Sequence, residues 1–264
     1  MSSIPKVINY CWFGGNPLPE KVKKCIESWR KYLPDYEIKE WNENNFDVNT
    51  CAYVQEAYQA KKWAFVSDYA RYWVLYNYGG LYFDTDIEII KPLDEIIQSG
   101  PFMACEPNKP TKPSRGSLPP KVNSGLGLGA TRHMAIYKEI LSYYEKERFL
   151  KADGSFNLET VVDRVTRILK KYGYVGNGTI EHVAELNIYP VDYFCPKNYF
   201  TDEINITENT VAIHHFAGSW TTNLDKVIKK LRFSPSSNDF VYYTRQFAAI
   251  PLILVNRVYK KVTR

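Results

Sequence analysis

Two aspartates set two residues apart, Asp84 and Asp86 in the run LYFDTDIE, have the spacing in this chain that most directly implies chemistry. Alternate residues of a strand share a face, which would set the two carboxylates about 7 Å apart at Cα. That spacing suits one hard cation, which takes oxygen ligands. Asp68 and Arg71, three residues apart, share a face if their segment is helical. They would then place a carboxylate and a planar fork of donors beside the cation, a pair suited to sugar hydroxyls. The alternative for the same pair is an intrahelical ion pair worth roughly 0.2–0.5 kcal/mol.

The elements that must position these groups follow from periodicity. Phe65, Tyr69, Tyr72 and Tyr76 recur at four, three and four, which predicts a helix over 63–77. Gly79 and Gly80 end it, and 81–88 alternates as a strand, with Leu81, Phe83, Thr85 and Ile87 on one face and Tyr82, Asp84 and Asp86 on the other. Upstream, 6–12 reads as a strand, Pro19 opens a helix at its first position with Val22, Ile26, Trp29 and Leu33 buried, and 36–41 is a second strand. Strand, helix and strand at this spacing give a parallel pair. Ligands of such sheets bind beyond the carboxyl ends of strands, which puts Cys11, Trp12 and Phe13 at a nucleotide edge, with Trp12 serving either as a stacking platform or as core.

Downstream, 51–62 is a helix, 102–106 a strand and the proline-rich 106–121 an exposed loop. The glycine-rich run VNSGLGLGA has no lysine or helix at phosphate-loop spacing, so close approach of backbone to a sugar suits it better. Helices are expected over 134–146 and over 158–171, the second with Asn157 as N-cap, and strands over 188–194 and 210–216. The last strand ends on His214-His215, and alternation lets only one of them face the site.

The pattern A-x-x-S-D-x-x-R-x-x-x-L-x-x-x-G-G-x-Y-x-D-x-D is carried by Ala64, Ser67, Asp68, Arg71, Leu75, Gly79, Gly80, Tyr82, Asp84 and Asp86. It resembles the signature of the glycosyltransferases with a DXD sugar-binding region, the family of the fungal outer-chain mannosyltransferases and of many bacterial capsule enzymes. IPKVINYCWFGG and AIHHFAGSW are similar to the family's flanking blocks. The resemblance implies an α/β, GT-A-like (Rossmann-like) fold with a mixed, mainly parallel sheet flanked by helices. It implies retaining, metal-dependent transfer of a hexose from a nucleotide sugar, a UDP-sugar ahead of GDP-mannose, to a glycan acceptor in capsule, exopolysaccharide or other surface glycan synthesis.

Mn²⁺ or Mg²⁺ would be held by Asp86, by Asp84 directly or through water, and by His215, chosen because it heads the family's H-x-x-G block. Asp68, Arg71, Asp84 and Asp86 take the catalytic roles. Donor contacts fall to Cys11, Trp12, Ser67, Asp68, Arg71, Tyr82, Asp84, Asn123 and Trp220, the last closing over phosphates or sugar. No nucleophile stands out, which favours same-face attack by the acceptor hydroxyl. The rivals are a non-catalytic nucleotide-sugar or carbohydrate binding module and a nucleotide-sugar hydrolase. The complete S-D-x-x-R and D-x-D set argues against the first, and product analysis with an acceptor separates the second.

At 264 residues and 45% hydrophobic content the chain can bury one large core. One domain over 1–264 is expected, with a nucleotide-sugar half over 1–106 and acceptor and closing segments over 107–264. A net charge of +5 gives no nucleic-acid footprint. Five widely spaced cysteines without a C-x-x-C pair read as reduced thiols. The opening MSSIPKVINY lacks a leader pattern, and a cytoplasmic location is expected. Residues 247–255 are nearly all apolar and precede Arg257, Lys260, Lys261 and Arg264. This tail reads either as a last core helix or as a peripheral contact with the inner membrane face, where the acceptor would be lipid-linked.

Overall fold

In the computed structural model the described residues are 3–109, 117–217, 223–233 and 238–262, with side chains as far as Asn256. In chain order the elements are β1 (Val7–Cys11), α1 (Glu20–Tyr32), β2 (Glu37–Trp41), α2 (Ala52–Gln59), α3 (Trp63–Tyr78), β3 (Gly80–Tyr82), β4 (Ile87–Ile89), α4 (Asp94–Gln98) and β5 (Phe102–Glu106). There follow β6 (Lys121–Ala130), α5 (Ala135–Glu145), α6 (Val161–Lys171), β7 (Glu181–Val183), β8 (Leu186–Tyr189), α7 (Val191–Phe194), β9 (Ala212–His214), α8 (Asn223–Phe233) and α9 (Asp239–Val262).

The main sheet runs β2-β1-β3-β6-β5-β8-β7. β1 is parallel to β2 and β3, β5 is parallel to β8, and β6 and β7 run against their neighbours. Five of the seven strands therefore point one way, the mixed, mainly parallel sheet expected. Side chains alternate between two apolar layers, as on β5, where Phe102 and Ala104 enter one cluster while Met103 and Cys105 enter the other. The first layer is closed by α1 through Val22, Ile26 and Trp29, the second by α2, α3, α5 and α6.

The turn from α3 into β3 needs its glycines. Gly80 has φ +101°, and a Cβ there would lie 2.6 Å from the Val7 carbonyl oxygen, so β1 and β3 pair only because this side chain is absent.

Three expectations are corrected. The strand expected over 81–88 stops at Tyr82, and the chain turns, the Ile87 N–H donating to the Asp84 carbonyl at 3.0 Å. Asp-Thr-Asp favours such a turn, because short polar side chains compete with ladder bonds. β4 then joins β9 in a separate two-stranded sheet, so Asp84 and Asp86 share a turn instead of a strand face. Proline 190 divides 188–194 into β8 and α7. Thr160, not Asn157, caps α6, its hydroxyl accepting the Asp163 N–H at 3.1 Å.

Candidate active site

The site gathers at the carboxyl edge of the parallel strands. β3 ends just before Asp84, β5 ends on Glu106, and the antiparallel β6 starts at the same edge with Asn123 near its head. A break in register brings the pieces together: between Met103 and Ala104 the partner on β6 jumps from Leu128 to Asn123. Ser124 to Gly127 thus leave the β5 ladder, and the Gly125 carbonyl accepts the Asp84 N–H at 2.9 Å.

A Cβ on Gly125 would lie 2.0 Å from Asp84 Oδ2 and 3.1 Å from Asn123 Oδ1. The glycine is what lets the aspartate and the asparagine approach each other. Gly127 and Gly129 make similar room for Phe194 and Phe102. The glycine run therefore admits side chains of the protein.

Arg71 braces the aspartates from below. Its side chain is 4% exposed; NH2 donates to Asp68 Oδ1 at 2.8 Å and lies 3.4 Å from Asp84 Oδ1. Nε donates to the Ser67 carbonyl, and the guanidinium lies over the Tyr82 ring. The Tyr82 hydroxyl donates to Asp84 Oδ1 at 3.0 Å. One oxygen of Asp84 is thus held by the Tyr82 hydroxyl and by the Arg71 charge, while about a third of its side chain stays open. Burial pushes Asp68 up to about 6 although Arg71 pulls it down. Burial alone would lower Arg71, but Asp84, Tyr82 and Asp68 hold it well above its usual range.

Asp86 is held from the other end of the chain. Its carbonyl accepts the His215 N–H, its Oδ2 accepts the Ala217 N–H at 2.8 Å, and Oδ1 lies 3.3 Å from His214 Nε2. Burial would raise this carboxyl, but His214 and the Ala217 N–H bring it down to about 2, so it stays ionised. Burial likewise would lower His214, and the Asp86 carboxylate instead raises it.

The histidine beside the acid is therefore His214 and not His215. Ile87 pairs with His214 in the register of β4 and β9, which turns His214 inward and sends the exposed His215 to Glu88, 2.7 Å away. Alternation required one inward histidine; it is His214, where the resemblance pointed to His215.

Several other residues expected to contact the donor have partners within the protein. Ser67 donates to the Trp63 carbonyl within its own helix. The Trp12 indole N–H is taken by the Asn16 carbonyl at 2.6 Å. Cys11 is buried beneath Tyr82, and burial pushes its thiol up to about 12. Trp220 lies outside the described residues.

Glu106 was missed. Its Oε2 accepts Asn123 Nδ2 at 2.7 Å while Asn123 Oδ1 accepts the Gly125 N–H, so the amide orientation is fixed at both ends. Burial raises the Glu106 carboxyl, and the Asn123 donor offsets part of that. The signal for it was available: an acid ending an apolar strand at the carboxyl edge of the sheet.

The donor types fit a hard divalent cation: two carboxylates, one ionised within a largely buried turn, and the imidazole of His214, whose buried Nδ1 has no partner. Among the described residues no three His, Cys, Asp or Glu side chains gather closely enough to hold an ion by themselves. Asp84 and Asp86, with His214 beside them, are the residues that could contribute to such an ion's shell.

Residues 19–103 match the family described as glycosyltransferase sugar-binding region containing DXD motif. Inositol phosphoceramide mannosyltransferase 1 of Schizosaccharomyces pombe is 32% identical over 114 residues, 39% of this chain and 34% of the relative. Inositol phosphoceramide mannosyltransferase 3 of the same yeast is 30% identical over 100 residues, 36% and 28% of the two chains. The chain spans about a third of the length of these relatives. Among solved structures, PaToxG glycosyltransferase aligns with 20% identity over 64% of this chain and 69% of its own, at a TM-score of 0.42. A glycosyltransferase involved in the glycosylation of the major capsid of PBCV-1 aligns with 12% identity over 80% and 93%, at 0.40.

Proposed function

We propose that this chain, whose residues 19–103 match the family described as glycosyltransferase sugar-binding region containing DXD motif, moves a hexose from a nucleotide sugar to a glycan acceptor with retention. One observation carries the reading: Asp84, braced by Arg71 and Tyr82, stands one turn from an ionised Asp86 that is paired with His214. Asp84, Asp86 and His214 are the residues that would hold Mn²⁺ or Mg²⁺. When bound there, the ion supplies charge neutralisation at the leaving diphosphate.

The chain's own residues position and exclude. Arg71 keeps Asp84 from rotating, and its buried charge is balanced by two carboxylates. Asp68 and Asp84 face the positive character that develops on the sugar ring. Asn123, locked by Glu106 and the Gly125 N–H, offers a fixed amide to a sugar hydroxyl. In the transfer the acceptor oxygen bonds to the anomeric carbon as that carbon's bond to the phosphate oxygen breaks, and the hydroxyl proton passes to the departing phosphate on the same face. No protein carboxylate is assigned a covalent role.

The fungal relatives' name supports mannose beside the UDP-hexoses as the transferred sugar, and a lipid-linked acceptor. Surface glycan synthesis, such as that of a capsule or exopolysaccharide, at the cytoplasmic membrane face suits five unpaired cysteines. The test is incubation with UDP-glucose, UDP-galactose or GDP-mannose, Mn²⁺ and extracted glycolipids, with the product linkage read by NMR. A glycosylated product of retained configuration supports the reading. Free sugar with every acceptor would make the protein a hydrolase, and binding without turnover would make it a binding module.

A further inference from the structure

We propose that α8 and α9 form a docking surface for anionic lipid, which lays the protein along a membrane through one face of α9. Phe240, Tyr243, Phe247, Ile250 and Leu254 recur at three and four and are all exposed, Phe240 and Phe247 by 76% and 70%. They make one apolar stripe along the helix. Ala249 and Asn256, each two positions beyond a stripe residue and so on the opposite side, are buried. Asn256 donates to Asp225 of α8 at 2.7 Å, and Gln246 Nε2 to the Arg232 carbonyl at 3.0 Å. The stripe therefore faces away from α8.

Charge selects the occupant. Residues 223–264 contain nine Lys and Arg against two acidic residues, a net +7, whereas the whole chain carries +5. Residues 1–222 are thus net −2, and the entire positive excess lies in this helix pair and the few residues around it. A second copy of the chain would bring the same +7 to the stripe and be repelled. An anionic bilayer offers acyl chains to the stripe and headgroups to the cations. No helix among the described residues is long and apolar enough to cross a membrane, and α9 carries the signature of a helix lying in the interface plane.

The surface is wired to the site. Lys229 of α8 donates to the Tyr199 carbonyl and sits over its ring. Tyr199 packs on Phe216 at 5.0 Å, and Phe216 packs on His214 at 4.0 Å. On the reading of the preceding section, a membrane-seated α9 brings a lipid-linked acceptor beside Asp86.

The test is co-sedimentation of the full chain with vesicles of phosphatidylcholine alone or mixed with phosphatidylglycerol, a readout independent of any activity. Binding is expected to the mixed vesicles at low salt, with release at high salt. The double variant Phe240→Ser, Phe247→Ser should bind at least tenfold more weakly with an unchanged melting curve, because both side chains are exposed. Lys260→Glu with Lys261→Glu should remove the preference for phosphatidylglycerol. If transfer is observed, the serine variant should lose it toward vesicle-embedded acceptor and keep it toward a water-soluble one. Absence of sedimentation at low salt, or equal binding by the serine variant, would overturn the proposal. So would a dimer of the full chain, seen by analytical ultracentrifugation, that the same two serines dissolve.

Discussion

At the scale of single residues, the site depends on a carboxylate whose partners lie far along the chain. Asp86→Ala, or EDTA on the parent protein, should abolish transfer while circular dichroism stays that of a folded chain; full turnover of the variant in metal-free buffer would remove the ion from the proposed function. His214→Ala should lower kcat/KM by more than tenfold, about 1.4 kcal/mol or more in transition-state stabilisation, and His215→Ala should leave it within about twofold. The pair also sets a pH window. His214 is raised from 6.5 in the folded state, so its stabilisation is complete below pH 6.5 and is lost as pH rises through the folded value. Asp86 is lowered from 3.8 to about 2, so its share is present above pH 3.8 and is lost as pH falls toward 2. In metal-free buffer the melting-temperature gap between parent and His214→Ala should be wider at pH 6 than at pH 9. Asp68, Arg71 and Asp84, singled out by spacing together with the resemblance, do meet in the structure. The choice between the histidines was not legible in the sequence, because β9 is three residues long and its register against β4, which decides the face, is a long-range pairing.

At the scale of elements, periodicity located α1, α3, β1, β2 and β5 to within a residue or two, since each is amphipathic or apolar along its own length. The strand over 81–88 failed because two effects outweigh its alternation: Asp-Thr-Asp favours a turn, and β6, leaving the β5 ladder at Ser124–Gly127, takes the Asp84 N–H. Two glycines of that strand separate function from packing. Gly125→Ala places a Cβ against the Asp84 carboxylate and should cut kcat/KM at least tenfold with little change in melting temperature. Gly129→Ala places one 2.4 Å from the buried Phe102 ring. Overpacking there should cost about 1–3 kcal/mol of stability, read by urea unfolding, while the folded fraction keeps its specific activity.

At the scale of the whole molecule, the segment bearing the motif owns none of its own sheet. Within 19–103, β2 pairs with β1, β3 with β1 and β6, β4 with β9, and β5 with β6 and β8; every one of those partners lies outside the segment. A fragment of residues 19–103 should accordingly show no cooperative melting transition by circular dichroism, and a sigmoidal melt would contradict the pairing. The Ala217 N–H that grips Asp86 is 131 residues downstream of it. At ribosomal rates of about 5–20 residues per second, the acid waits roughly 7 to 26 s for that grip. During translation the nascent chain thus displays its aspartates well before the backbone that grips one of them has been made.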